Sequence, residues 1–277
     1  MEINQDHVLE ILRENAQKNI LPYFKALTQD QIREKKPGDL VTDADEASEL
    51  FLTDKLSKLL PYSKVVGEEA VARDKTVLNL INDDTLVWVV DPIDGTYNFA
   101  HGRSKWGVLL SLVHKNEVIF GVLYDVLNEK IIFAKRGEGC HLVMPNDAVS
   151  QIKLQKKETD IKEYIGHTDG RQTWCIKKLN DLCKEVHNIR CSLHDCWGLL
   201  SGEIDFTLHH SVTAWDHSAP FLAVEEAGGY IRAGWDKQRF SSRAIGHGYL
   251  LATYDEEKWD ELAETLFKAM SREKQLS

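Results

Sequence analysis

Apolar residues in the first part of the chain recur at helical spacing. Over residues 5–27, Val8, Ile11, Leu12, Ile20, Phe24 and Leu27 fall largely on one face of a 3.6-residue period, which predicts an amphipathic packing helix. "KKPGDLVTDAD" breaks the pattern with Pro37 and Gly38. Residues 46–60 then predict a second helix carrying Ala47, Leu50, Phe51, Leu56 and Leu59, stopped by Pro61. Beyond it the period shortens to runs of strand length at 64–67, 85–90, 106–114, 117–126, 130–135 and 140–144. Lys115-Asn116 and Arg136 to Gly139 are tight connections, so these strands are expected to form an antiparallel meander. After about residue 150 helices are expected near 172–186, 193–201, 216–227 and 255–270, with strands at "IDFTLH" and "YLLAT". The pattern divides the chain into an N-terminal half, 1–148, and a C-terminal half, 149–277, with no linker between them and a shared interface.

Composition adds little to this picture except through charge. Lysine and arginine number 34 against 44 acids, a net charge of −10, with the basic residues scattered, so nucleic acid is not an expected partner. No run of about 18 apolar residues suggests a membrane span and the N-terminus does not resemble a signal peptide, so a cytoplasmic protein is expected. The five cysteines form no C-x-x-C pair and point to neither a disulfide framework nor a zinc site.

The unusual chemistry lies in "VWVVDPIDGTYNFAHG", residues 87–102, where an apolar run ends in two acids. A carboxylate at the end of a buried strand is costly unless it is paired or holds a metal. Pro92 and Gly95 are expected to fold the chain so that Asp91 and Asp94 face one point, where a divalent cation would relieve their repulsion. Hard oxygen donors favour magnesium or manganese. Gly67-Glu68-Glu69 repeats the design after "KVV". Trp215-Asp216 opens a helix, with Asp216 at the expected N-cap and Pro220 in the first turn.

"VTxxD" (Val41, Thr42, Asp45), "GEE", "DPIDGT" followed by "NFAHG", and "WDxxA" stand in the order found in the inositol monophosphatase family, and the chain resembles that family of magnesium-dependent, lithium-sensitive phosphatases from about residue 5 to about 255. The resemblance implies a layered α-β-α-β-α sandwich, a homodimer, and two or three magnesium ions for which manganese can substitute. It implies that Glu68, Asp91 and the carbonyl of Ile93 hold a first ion, and Asp91, Asp94 and Asp216 a second. Thr96 and Glu68 would orient the attacking water with Asp45 in support, and the amides of Gly95 and Thr96 would receive the phosphate. The substrate implied is inositol monophosphate or a related polyol or sugar phosphate. Within the same fold the alternatives for this chain are a 3'-phosphoadenosine nucleotidase or a phosphatase of histidinol phosphate or fructose 1,6-bisphosphate, and outside catalysis a regulatory binding protein that retains the fold.

Three features depart from the pattern. His209 stands where a glutamate that accepts inositol hydroxyls is usual, so substrate contacts are expected from His209 and Asp216 together. Leu193, His194 and Asp195 replace smaller residues beside the pocket. "YDVLNEK" lacks a proline common in that hairpin. The remaining candidates carry ordinary readings beside functional ones: His101 as a capping or surface group or at the border of the site's mouth, His217 reaching phosphate or a pocket water or pointing to solvent from the first turn, Trp106, Trp197 and Trp215 as core, Cys191 and Cys196 as half-buried thiols, Glu69 as an acid behind the ligands or one that exchanges roles with Glu68, and 155–163 as a solvated face.

Overall fold

The structure, a computed structural model, describes residues 3–81, 84–169, 173–234, 236–243 and 245–274. Helix α1 (Gln5–Asn15) begins at Asn4, whose side chain accepts the His7 N–H at 3.1 Å. It passes into a wider turn at Ala16–Ile20 and a tight turn at Leu21–Tyr23, so regular helix stops short of the expected 27 as Pro22 enters. Val8, Ile11, Leu12 and Ile20 are all buried.

The stretch around Pro37-Gly38 is a hairpin, β1 (Ile32–Lys36) and β2 (Asp39–Thr42), which the sequence pattern did not show. Helix α2 (Asp43–Leu59) starts from Thr42 in a capping box closed by Asp45. It buries Ala44, Leu52 and Leu56, but its inner face also carries Asp45, Ser48 and Glu49, while Leu50, expected on the apolar stripe, is 74% exposed.

A seven-stranded sheet follows. Strand β3 (Lys64–Gly67) runs parallel to β4 (Val87–Asp94), with α3 (Glu68–Arg73) between them. After α4 (Thr96–Ala100) the expected meander continues through β5 (Gly107–His114), β6 (Glu117–Asp125), β7 (Lys130–Lys135), β8 (Gly139–Val143) and β9 (Val149–Ile152). The expected division at 148/149 falls between β8 and β9, which pair from Cys140↔Ile152 to Val143↔Val149, so the first sheet runs on to Ile152.

The rest of the chain is β10 (Ile165–Thr168), α5 (Thr173–Leu182), β11 (Glu185–His187), α6 (Ser192–Ser201), β12 (Phe206–Thr213), α7 (Ala214–Glu226), β13 (Tyr230–Ala233), β14 (Ile245–Thr253) and α8 (Glu256–Lys274). Residue 172, where the third expected helix begins, lies outside the described residues. The strands form a second sheet in the order β11-β10-β12-β14-β13.

Alternation along β4 explains the layers. Trp88 and Val90 face a core shared with α1 and α2, whereas Val87 and Val89 face one shared with α6 and α7. That middle core also takes Val212, Leu250 and Ala252 from the second sheet, and α8 covers the sheet's outer face with Trp259, Leu262 and Leu266. The result is the expected α-β-α-β-α sandwich. Helix α7 lies so close to the first sheet that a Cβ at Gly121 would come within 3.0 Å of Ala219 Cα, which requires small residues on both sides.

Candidate active site

Asp91 and Asp94 are three residues apart, and in a regular strand that offset points two side chains to opposite faces. The pairing of β4 with β5 shifts between them, Asp91 opposing Leu109 and Asp94 opposing Gly107, so one extra residue is accommodated as a β-bulge. The bulge, within a strand that continues through Asp94, brings both acids to one site; the turn begins only at Gly95, so the expected fold at Pro92 and Gly95 is not what joins them. Gly95 has φ +84°, and a Cβ there would meet the Lys105 carbonyl oxygen at 2.8 Å and Cys191 Cβ at 3.3 Å, so no other residue fits.

Asp216 arrives from α7. It is not the N-cap: Thr213 is, accepting the Asp216 N–H at 3.3 Å, while Thr213 Oγ1 donates to Asp216 Oδ2 at 2.6 Å. Pro220 correspondingly lies inside the helix rather than in its first turn. The cap fixes the Asp216 carboxyl beside the β4 acids, and oxygens of Asp91, Asp94 and Asp216 lie within 4.8 Å of one another.

These acids line a cavity of about 380 Å³ together with Glu68, Ile93, Gly95, Thr96, His209 and His217. Burial pushes Asp91 far above the ordinary carboxylate range, and the neighbouring Glu68, Asp94 and Asp216 push it further. Burial likewise pushes Asp94 up to about 7, with Asp216 adding to the rise. Asp94 is partly compensated, since its carboxylate accepts from the Cys191 thiol (3.0 Å) and from the Ser192 and Leu193 amides (3.1 and 2.6 Å) at the start of α6. No lysine or arginine among the described residues forms an ion pair with Asp91, Asp94 or Asp216. Two buried carboxylates and a half-buried third that repel each other and have no cationic side chain are the donor set that a hard divalent cation fits.

Glu68 is treated differently. Lys35, from β1, donates to Glu68 Oε1 at 2.7 Å and to Glu69 Oε1 at 2.9 Å. Burial alone would lower the Lys35 ammonium, but Glu68 and Glu69 together carry it above its ordinary range. Glu69 also donates its N–H to Glu49 Oε2 at 2.7 Å, which ties α3 to α2.

Asp45 is buried and accepts from the Thr42 amide and hydroxyl at 2.8 and 2.6 Å. Its other oxygen lies 3.1 Å from Thr96 Oγ1, which is also 2.9 Å from the Ile93 carbonyl. Burial pushes Asp45 up to about 7 despite the Thr42 hydroxyl, which acts the other way.

On the far wall His209 sits in β12 at a register shift, its Nε2 3.9 Å from Asp195 Oδ2, and its ring meets that of His217 edge-on at 4.7 Å. His217 is 2% exposed and lines the cavity instead of facing solvent; burial lowers it to about 4, so it is a neutral imidazole at pH 7. Cys191 is a fully buried donor to Asp94 whose thiol is raised well above normal by burial, which removes it as a nucleophile. Trp106 is core, and Trp197 and Trp215 pack against core.

The sequence reading missed Lys35, Asp169, Asn188, Arg190 and Ser211. All but Lys35 line the cavity, and Lys35 reaches its wall through Glu68. None belongs to a recognisable motif. The one available signal was "KKPG", in which Pro-Gly after two lysines marks a hairpin that returns those lysines toward Asp39.

Comparison with known proteins agrees with this geometry. The model of the inositol monophosphatase family matches residues 4–274. Inositol monophosphatase 1 of Sus scrofa is 31% identical over 205 residues, 70% of this chain and 71% of the relative. A Thermotoga maritima protein named fructose-1,6-bisphosphatase/inositol-1-monophosphatase is 26% identical over 220 residues, 76% of this chain and 80% of the relative. The solved structure of a Thermotoga maritima IMPase superposes with a TM-score of 0.79 at 20% identity, covering 96% of this chain and 98% of the other. The motifs, the layers and the family match over nearly the whole chain lead to one conclusion: this protein belongs to the inositol monophosphatase family of phosphatases.

Proposed function

We propose that the protein hydrolyses a small phosphomonoester of a polyol or sugar, using magnesium held in the acidic cavity. The observation that carries this reading is the convergence of Asp91, Asp94 and Asp216 without a basic partner. In this proposal Asp91, Asp94 and Asp216 hold one ion, and Glu68, Asp91 and the Ile93 carbonyl hold another, with Lys35 as the competing cation at Glu68. A divalent cation bound there supplies charge neutralisation for the phosphoryl oxygens and lowers the cost of deprotonating water.

The chain's own groups supply the orientation. Thr96 Oγ1 has one hydrogen and two acceptors within reach, Asp45 and the Ile93 carbonyl, so its lone pairs are what it can offer to a proton of the attacking water. Gly95 and Thr96 begin α4, whose first amides have no intrahelical acceptor and are assigned to phosphate oxygens. His209 and Asp216 are assigned to the substrate's hydroxyl side. The family resemblance supports lithium inhibition and a homodimer as further parts of the proposal. Among the described residues no helix is long and apolar enough to cross a membrane.

The test is phosphate release from a panel of monoesters, inositol 1-phosphate and hexose phosphates among them, with magnesium, after chelation and after magnesium is restored. Chelation is expected to reduce the rate at least 100-fold and magnesium to restore it. Activity indifferent to chelation, or absent on every ester, overturns the proposal.

A further inference from the structure

Arg13, Arg33, Arg73, Arg136, Arg232 and Arg239 each pair with a carboxylate. Arg103 and Arg190 do not: among the described residues no carboxylate lies within ion-pair distance of either. Both converge on Tyr97, the residue after Thr96, with Cζ 5.2 Å (Arg103) and 4.1 Å (Arg190) from the ring centroid. Arg190 lines the same cavity as the three acids. In a chain of net charge −10, two arginines without counter-ions on one ring, one of them lining the cavity, are a feature to be explained.

Arg190 is also held in place. Its φ is +55°, a conformation that favours glycine, yet an arginine occupies it. Its N–H donates to Asn188 Oδ1 at 2.9 Å, and Asn98 Nδ2 reaches the Ile189 carbonyl at 2.8 Å and the Lys105 carbonyl at 2.7 Å, joining the loops that carry Arg190 and Arg103. The Tyr97 ring is stacked on His101 at 4.1 Å as well, so its surface is occupied and the arrangement does not serve as a platform for a base. A guanidinium resting on an aromatic ring keeps its N–H edge free to grip an oxyanion in bidentate fashion. Asp169 on this side is already answered: it accepts from the His210 and Ser211 amides at 2.9 Å each and contacts the His210 ring at 2.8 Å. Asp195 Oδ1 lies 2.9 Å from His167 Nδ1 without forming a hydrogen bond to it.

We infer that the preferred substrate carries a second anionic group, a phosphate or carboxylate remote from the scissile ester, and that Arg190 seated on Tyr97 selects for it, with Arg103 in support. The inference rests on the phosphomonoesterase reading and narrows it. A neutral polyol monophosphate has its charge at the end that meets the acid cluster and offers nothing to a cation on the Tyr97 ring.

The experiment compares kcat/KM with magnesium on fructose 1,6-bisphosphate (distal phosphate), 6-phosphogluconate (distal carboxylate) and inositol 1-phosphate (no distal anion), for wild type, Arg190→Gln, Arg190→Lys and Arg103→Gln. The ratio of a distal-anion substrate to inositol 1-phosphate is expected to fall at least tenfold in Arg190→Gln, mainly through KM, with partial recovery in Arg190→Lys and a smaller fall in Arg103→Gln. Binding of fructose 6-phosphate, which keeps a distal phosphate, should weaken by a similar factor in Arg190→Gln, and binding of inorganic phosphate by less. The distal-anion substrate that shows the fall identifies the group. Ratios unchanged in Arg190→Gln, or equal losses on all three esters, overturn the inference while leaving the phosphatase reading intact. No phosphate release by wild type from any ester overturns the phosphatase reading instead.

Discussion

Asp91 is a carboxyl group with almost no access to water, set among Glu68, Asp94 and Asp216. Without an ion that placement destabilises the fold, and with one it defines the binding site. Asp91→Asn should therefore raise the melting temperature of the chelated protein, abolish the rise that magnesium produces in wild type, and reduce phosphate release at least 100-fold. Thermal melts with and without magnesium test this; a variant that melts lower without metal and still responds to magnesium contradicts it. The pH dependence follows from the same physics, with a sign opposite to that of most surface acids. Asp45 and Asp94 are each pushed up to about 7, mainly by burial, from an ordinary value of 3.8. Between those values the folded state binds more protons than the unfolded state, so stability falls as pH rises through the interval, by at most about 1.4 kcal/mol per pH unit for each group. The urea midpoint of the chelated protein is expected to fall from pH 5 to pH 7.5 and to level off above. Asp45→Asn should flatten the slope, and a midpoint that rises with pH over that range would refute the account.

At the scale of elements, the hairpin β1–β2 holds the first acid pair through one side chain. Lys35 is 15% exposed and bridges Glu68 and Glu69, the latter 3% exposed. Removing the ammonium leaves a half-buried and a buried carboxylate facing each other, a change that costs about 3 kcal/mol where a buried pair is broken. Lys35→Gln should lower chelated stability by about 2–4 kcal/mol in urea titrations. The same variant should bind magnesium more tightly, because Glu68 loses its internal competitor. Loss of stability with no change in magnesium affinity by calorimetry would assign Lys35 a purely structural role. This hairpin also marks where the sequence stopped being readable. The meander from β5 to β8 was legible because each run is a short apolar or alternating stretch that ends at a turn, and α6 and α7 because each is an apolar stretch of helix length, α7 stopped by Gly228-Gly229. The motifs were legible because each acid follows a short buried run. Three things had no local signal. The bulge between Asp91 and Asp94 depends on the register against β5, the cap of Asp216 depends on which residue begins α7, and the polar inner face of α2 exists because Glu49 caps α3 and Asp45 supports Thr96. Arg190 was invisible for the same reason, since its role comes from Tyr97 nearly a hundred residues away in the chain.

For the molecule as a whole, the acids of the cavity are drawn from both halves, and so is the packing that holds them. Helices α6 and α7 belong to the C-terminal half, yet they fill the space between the two sheets and contribute Leu193, Leu199, Phe221 and Leu222 to the core that covers one face of the first sheet. Without them Val87, Val89 and Leu109 would face water, and burial of each such side chain contributes about 1.5–3 kcal/mol. Asp94 adds a polar join, since the carboxylate at the end of β4 accepts the first two amides of α6. With that core shared, the soft boundary in the sequence is expected not to separate two folding units. Calorimetry should show one transition whose van't Hoff and calorimetric enthalpies agree, and magnesium should move that transition upward without splitting it. Asp94→Ala removes the join and an ion ligand together, so it should lower the magnesium-bound transition more than the chelated one, where loss of the cap is offset by relief of repulsion from Asp216. Two resolved transitions in wild type, with magnesium shifting only one, would show that the halves unfold separately and that the shared core is weaker than its burial implies.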